Sequence, residues 1–208
     1  MSKTVLFDFD GTLADTLYEV VNIINSLSRE FGYSKIKKKD IPKIRNKTAQ
    51  EILKEAGISM FKLPFIVKRA RLELNKVIEF LKPVQSIREV LLVLKKRRYK
   101  LGIVTSNSKE NVEKFLKKNN FELFDFIYSG SSIFGKHKLL KDTLKKQNLK
   151  PNEVIYVGDE TRDIEAARKN QIKIIAVIWG FNSRKILENY HPDFLIDKPK
   201  ELLEILEV

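Results

Sequence analysis

The stretch Val5-Leu6-Phe7-Asp8-Phe9-Asp10-Gly11-Thr12-Leu13 decides how this chain is read. Apolar residues run into two aspartates one residue apart, and a glycine turn follows. Along a strand every second side chain shares a face, so Asp8 and Asp10 are expected on the same one. That puts paired carboxylates at the carboxyl end of a buried strand, where open α/β sheets bind their ligands. Two anions so close repel unless a cation or a shared proton intervenes. A divalent-metal site with one carboxylate left for nucleophilic attack meets both demands.

Further along the chain lie the strands that such a sheet needs. They are expected at 100–104, 124–128, 154–157, 174–177 and 194–196, with helical patterns at 86–96, 109–119, 138–147, 161–169 and beyond Pro199. Strands alternating with helices predict an α/β fold built on a doubly wound parallel sheet. Between about 14 and 83 there is no strand pattern. Helical periodicity covers 16–31, closed by Gly32, then 48–56, closed by Gly57, then 64–80, closed ahead of Pro83. Between the first two, the basic stretch 35–47 is interrupted by Pro42. The expected organisation is a core of residues 1–15 and 82–208 with an inserted α-helical cap of residues 16–81, hinged near 14–17 and 81–84.

The chain has 208 residues and 43% hydrophobic content, enough for one core and a smaller second lobe. It has no cysteine, which excludes disulfides and thiolate metal sites and suits a cytoplasmic protein. No apolar run approaches the roughly 18 residues of a membrane span. Strand pattern begins almost at once, so neither a signal segment nor a membrane partner is expected. The net charge of +13 is spread over lysine-rich helical segments with few aromatics between them. It is read as solvated helix faces that also steer anionic substrates inward, not as a nucleic-acid surface.

Three expected strands end in polar clusters: Asp8 with Asp10, Thr105 with Ser106, and Asp159 with Asp163. In a parallel sheet these ends meet along one edge. Lys136, in a glycine-containing loop, is a fourth contributor. The set suits phosphoryl transfer. A carboxylate can attack phosphorus, but its charge repels the phosphate dianion, so Mg²⁺ is needed between them. Mg²⁺ takes oxygen ligands and suits two or three carboxylates. A hydroxyl, backbone N–H groups and a lysine can hold the phosphate oxygens, and a second carboxylate can protonate the departing alkoxide.

These motifs, in order, resemble those of the haloacid dehalogenase superfamily, in its phosphatase branch with a helical cap. The matching segments are Asp8-Phe9-Asp10-Gly11-Thr12, Gly102-Ile103-Val104-Thr105-Ser106-Asn107, Gly135-Lys136-His137-Lys138 and Val157-Gly158-Asp159-Glu160-Thr161-Arg162-Asp163. Within the family the phosphoglycolate-phosphatase-like members are most similar, sharing the Gly-Asp-Glu-Thr-Arg-Asp run and the Trp179-Gly180-Phe181-Asn182 stretch. The resemblance implies a Rossmann-like core and roles for single residues. Asp8 is the nucleophile and a magnesium ligand. Asp10 is the general acid and base and ligates through its backbone carbonyl. Asp159 binds magnesium directly, and Asp163 acts from further out or through water. Thr105, the Ser106 N–H and Lys136 hold the phosphate, Lys136 being preferred to Lys138 because the family places this lysine just ahead of a helix. His137 neighbours this site.

The expected activity is Mg²⁺-dependent hydrolysis of a small phosphorylated metabolite, phosphoglycolate-like, through an aspartyl phosphate. Arg45 in the cap is the candidate for a second anionic group on the substrate. A phosphomutase shares the same core. A phospho-aspartate receiver, a regulatory module, shares the acidic site but lacks the helical insertion, and a nucleic-acid-binding module would use the basic surface. Oligomeric state is left open by the sequence.

Overall fold

The computed structural model describes residues 4–130 and 135–206. Residues 131–134, part of the loop expected around Gly130 and Gly135, lie outside the described residues. Six strands form one sheet: β1 (Thr4–Phe7), β2 (Lys100–Thr105), β3 (Phe126–Ser129), β4 (Val154–Gly158), β5 (Lys173–Val177) and β6 (Phe194–Ile196). Every pairing is parallel, in the order β3-β2-β1-β4-β5-β6. The chain builds outward from β1 to β3, then returns to add β4 on the other side. The order therefore reverses between β1 and β4, and a crevice opens at the carboxyl ends of those two strands.

Both faces of the sheet are covered, which is why its strands read as unbroken apolar runs. Val5 and Phe7 pack with Ile87, Val90, Leu91 and Leu94 of α5 (Ile87–Lys96) and with Val112 and Phe115 of α6 (Lys109–Lys118). Leu6 packs on the opposite side with Leu140 and Leu144 of α7 (Lys136–Gln147) and with Ile164 and Ala167 of α8 (Thr161–Lys169). The short helices α9 (Arg184–Asn189) and α10 (Glu201–Ile205) close the two flanks through Leu187 and Leu202.

Between β1 and β2 the described chain is helical: α1 (Leu17–Phe31), α2 (Ile41–Ile44), α3 (Ala49–Glu55) and α4 (Leu63–Val77). Gly32 ends α1 in the left-handed region at φ +74°, its N–H returning to the Ser28 carbonyl, as its sequence position implies. A capping box starts α3: the Thr48 hydroxyl accepts from the Glu51 N–H and the Glu51 carboxylate accepts from the Thr48 N–H. The basic stretch differs from expectation. Pro42 does not interrupt structure there but lies in the first turn of α2, where its missing N–H costs nothing. The pattern expected over 64–80 is α4 followed by a 3₁₀ turn at Ile78–Phe80.

The segments entering and leaving this insert lie side by side. Ala14 bridges Pro83 in antiparallel fashion, the Asp15 N–H donates to the Lys82 carbonyl at 3.0 Å and the Val84 N–H to the Leu13 carbonyl at 2.9 Å. No helix among the described residues is long and apolar enough to cross a membrane.

Candidate active site

The strand β1 ends at Phe7, so Asp8 and Asp10 lie just past it, in the segment that leads into the Gly11 turn. The Asp8 N–H still reaches the Val157 carbonyl of β4 at 2.8 Å, but the Phe9 carbonyl then gathers the N–H groups of Leu13 and Ala14. Gly11 makes the bend at φ +75°. A Cβ there would sit 2.3 Å from an Asp159 carboxylate oxygen, so the turn folds this tightly only around glycine. The two aspartates differ in burial: Asp8 is buried in the sheet crevice, and Asp10 is partly exposed.

Asp8, Asp159 and Asp163 come together, each offering a carboxylate oxygen within 4.8 Å of the others, and all three are buried. The ligand expected from Asp10 is its backbone carbonyl, and its carboxylate is not in this group. Asp163, expected further out, is inside it. The reason is local. Asp163 lies in the first turn of α8, where one oxygen accepts the Glu160 N–H at 3.0 Å, and Gly158 leaves room for it: a Cβ on Gly158 would come within 2.6 Å of the Asp163 carboxylate.

Lys136 is buried between two of these carboxylates, with its Nζ 2.6 Å from Asp8 Oδ2 and 2.5 Å from Asp163 Oδ1. Lys138 is exposed. Lys136 is the first residue of α7, which begins two residues earlier than its sequence pattern implied. His137 is exposed on the same turn, its carbonyl accepting from the Asn170 amide. Asp159 is held from two sides, by the Thr12 hydroxyl and by the Phe181 N–H, each at 2.7 Å. Asp8 Oδ1 is buried and has no hydrogen-bond partner.

Burial dominates the electrostatics. It raises Asp8 to about 7, with repulsion from Asp163 adding to it and Lys136 opposing it. Asp159 is raised well above the usual carboxylate range by burial and by its acidic neighbours Glu160, Asp8 and Asp163. Burial alone would lower Lys136, but Asp163 and Asp8 outweigh it and hold the ammonium charged. Crowded, desolvated carboxylates with an unpartnered oxygen could hold a cation, and a hard divalent ion suits an all-oxygen set.

Asp10 is organised separately. Asn107 Nδ2 donates to both of its oxygens, at 2.9 and 3.2 Å. Asn107 is itself fixed: its Oδ1 accepts from Asn111 Nδ2 and the Ser108 N–H, its N–H donates to Thr105 Oγ1, and its carbonyl accepts from the Ser129 hydroxyl. Burial raises Asp10 to about 6 against the opposing Asn107 bond. Thr105 is buried at the end of β2, and Ser106 follows it at the crevice.

Three residues at the rim were not assigned roles from sequence: Asn107, Arg71 and Asn182. Arg71 of α4 donates to the Ser106 carbonyl and, at 2.9 Å, to the Gly130 carbonyl. Asn182 accepts the Thr161 N–H and donates to the Lys47 carbonyl at 3.0 Å. Arg45, the candidate for a second substrate anion, lines a cleft of the insert and donates through Nη2 to the Ile178 and Asn182 carbonyls, at 2.7 and 3.4 Å. Carbonyl-directed contacts across so many residues leave no local pattern; only the position of Asn107 beside Thr105 and Ser106 was a usable signal.

Comparison with known proteins agrees with this architecture. A family model for haloacid dehalogenase-like hydrolases matches residues 5–177. The chain is 36% identical over 203 residues to a phosphoglycolate phosphatase of Synechococcus elongatus, covering 97% of this chain and 96% of that one. It is 29% identical over 210 residues to the pyrophosphatase PpaX of Bacillus anthracis, covering 98% and 96%. A haloacid dehalogenase-like hydrolase of Streptococcus pneumoniae superposes with a TM-score of 0.82 at 26% identity over 99% of this chain and 98% of that one. A parallel sheet with its acidic crevice at the strand-order reversal, and a match over most of its length, mark this chain as a member of the haloacid dehalogenase-like hydrolases, an enzyme of their phosphatase type.

Proposed function

We propose that the chain is a Mg²⁺-dependent phosphatase of small phosphorylated metabolites, working through a phosphorylated Asp8. The observation that carries this reading is the division of labour among acids: Asp8, Asp159 and Asp163 crowd one buried point, while Asp10 is held apart on Asn107.

Asp8, Asp159 and Asp163 would hold the cation, with the Asp10 backbone carbonyl as a further oxygen. Bound there, Mg²⁺ supplies charge neutralisation between a carboxylate nucleophile and a phosphate dianion. The chain's own residues do the rest. An Asp8 carboxylate oxygen forms a bond to phosphorus as the bond to the leaving oxygen breaks. Asp10, near 6 and therefore able to carry a proton close to neutral pH, gives that proton to the leaving oxygen. The deprotonated Asp10 then takes a proton from water, whose oxygen attacks phosphorus and releases Asp8 and inorganic phosphate. Lys136 and Thr105, with the Ser106 N–H, would hold the phosphate oxygens. The helical insert serves as a cap that keeps bulk water from the acyl phosphate.

Phosphoglycolate and pyrophosphate, named for two relatives, belong in a first screen together with sugar phosphates and nucleotides. The decisive variant is Asp8→Asn, assayed on a phosphate ester with Mg²⁺. Turnover is expected to fall at least about a thousandfold with the fold intact; full turnover in that variant overturns the reading. A phosphomutase would instead need a bisphosphate activator and release little phosphate.

A further inference from the structure

The insert is not filled. Its helices line a half-open cleft of about 310 Å³ whose walls are largely aliphatic, among them Val21, Ile24, Ile41, Ile52 and Ile66. The same space is continuous with Asp10, Ser106 and Asn107. An apolar cavity of about 150 Å³ already takes benzene and stays dry when empty. This cleft is about twice that size, and water that enters it finds few partners along its aliphatic walls. Displacing poorly bound water from such walls is favourable, so a cleft lined this way suits an apolar occupant. A second observation agrees. Arg45 borders the space, and its Nε is buried without a partner, a donor that nothing in the chain uses.

We propose that the preferred substrates are phosphate monoesters whose leaving group carries an apolar body of about one aromatic ring, seated inside the helical insert. The proposal rests on the phosphatase reading and adds the class of leaving group. Asp10 stands where the space meets the acidic crevice, so the oxygen it protonates joins a phosphate on the carboxylate side to an apolar body on the insert side. Glycolate and phosphate, the leaving groups implied by the relatives' names, are small and polar and would leave most of the volume empty. Ligand sites are commonly apolar spaces of this size with few polar anchors, and burying a ring gains far more than burying a single methylene.

The test compares ethyl phosphate with 2-phenylethyl phosphate, whose leaving groups are chemically alike except for the ring. The ratio of kcat/KM, phenylethyl over ethyl, is expected to be about thirty or more. Ile52→Trp, and separately Val21→Phe, fill the space and should each cut that ratio about tenfold. The Asp8→Asn protein should bind 2-phenylethylphosphonate with a negative heat-capacity change, a readout that needs no turnover. Failure on every ester overturns the phosphatase reading and this proposal with it. Turnover of ethyl phosphate and phosphoglycolate with a ratio near one overturns the proposal alone. So does a rise in thermal midpoint in either filling variant with no change in the ratio, because the space is then a packing void. A filling variant that does not fold is replaced by the other, and the phosphonate measurement stands independently of both.

Discussion

The sheet core and the helical insert are packed to different standards. In the core, Phe9, Phe115 and Phe121 are wholly buried and meet edge to face, with ring centroids 5.1 and 6.3 Å apart. The insert has aromatic rings as well, but Phe61 and Phe65 are 89% and 66% exposed while its interior keeps its aliphatic space. The difference follows from what each part has to do. Carboxylates that must hold their spacing to a few tenths of an ångström need a dense, unyielding surround. An insert that receives the substrate, as proposed here, needs volume of its own.

Four experiments bear on that contrast. The largest effect is expected from Asp10→Asn, which should lower kcat by about a hundredfold to ten-thousandfold with no loss of thermal stability. A loss under tenfold would move the proton-transfer role elsewhere. Packing gives the next largest difference. Phe115→Ala should cost about 3–5 kcal/mol in urea unfolding, whereas Leu53→Ala, bordering a space that already exists, should cost under about 2 kcal/mol. Equal losses would mean that the insert is as tightly filled as the core.

Cation binding comes third. Mg²⁺ at about a hundred times its dissociation constant should stabilise the protein by about 2.7 kcal/mol. Asp159→Asn should remove that shift; a shift that survives the substitution would place the cation outside the core crevice. The smallest effect concerns acid stability at the sheet margin. Burial would raise Asp125, but the Leu101 N–H at 2.7 Å and Lys95 outweigh it and hold its carboxyl below the ordinary value. Its contribution is therefore present above the unfolded carboxyl range near pH 4 and is lost as pH falls through the lower folded value. Asp125 is about one-third exposed, so Asp125→Asn should cost below about 1 kcal/mol at neutral pH and flatten the acid limb of the stability curve.

Much of the core was legible because a strand buried on both faces leaves an apolar run that polar residues end abruptly. The segments 154–157 and 194–196 coincide with β4 and β6 to within a residue. The β3 strand lies later than the apolar run at 124–128, because Phe124 packs under the sheet instead of pairing in it, edge to face with Phe7 at 6.1 Å. At the site, the convergence of Asp8, Asp159, Asp163 and Lys136 was readable from the order of the motifs. The parting of Asp8 from Asp10 was not. Period-two alternation assumes that the strand continues, and β1 ends at Phe7, ahead of both aspartates. Nor could Arg71 be singled out, since in an amphipathic helix it looks like any solvated arginine until Ser106 and Gly130 are brought beside it.

The paired segments at Leu13–Asp15 and Lys82–Val84 join the insert to the rest of the molecule by a ribbon only two backbones wide. Such a ribbon bends readily across its thin direction and resists being stretched or sheared. For a cap that moves, such a joint would favour rocking about one line over sliding. If the insert acts as the cap proposed above, such a rocking would return Arg45 and Arg71 to the same carbonyls on each closure and so preserve the alignment of the two surfaces.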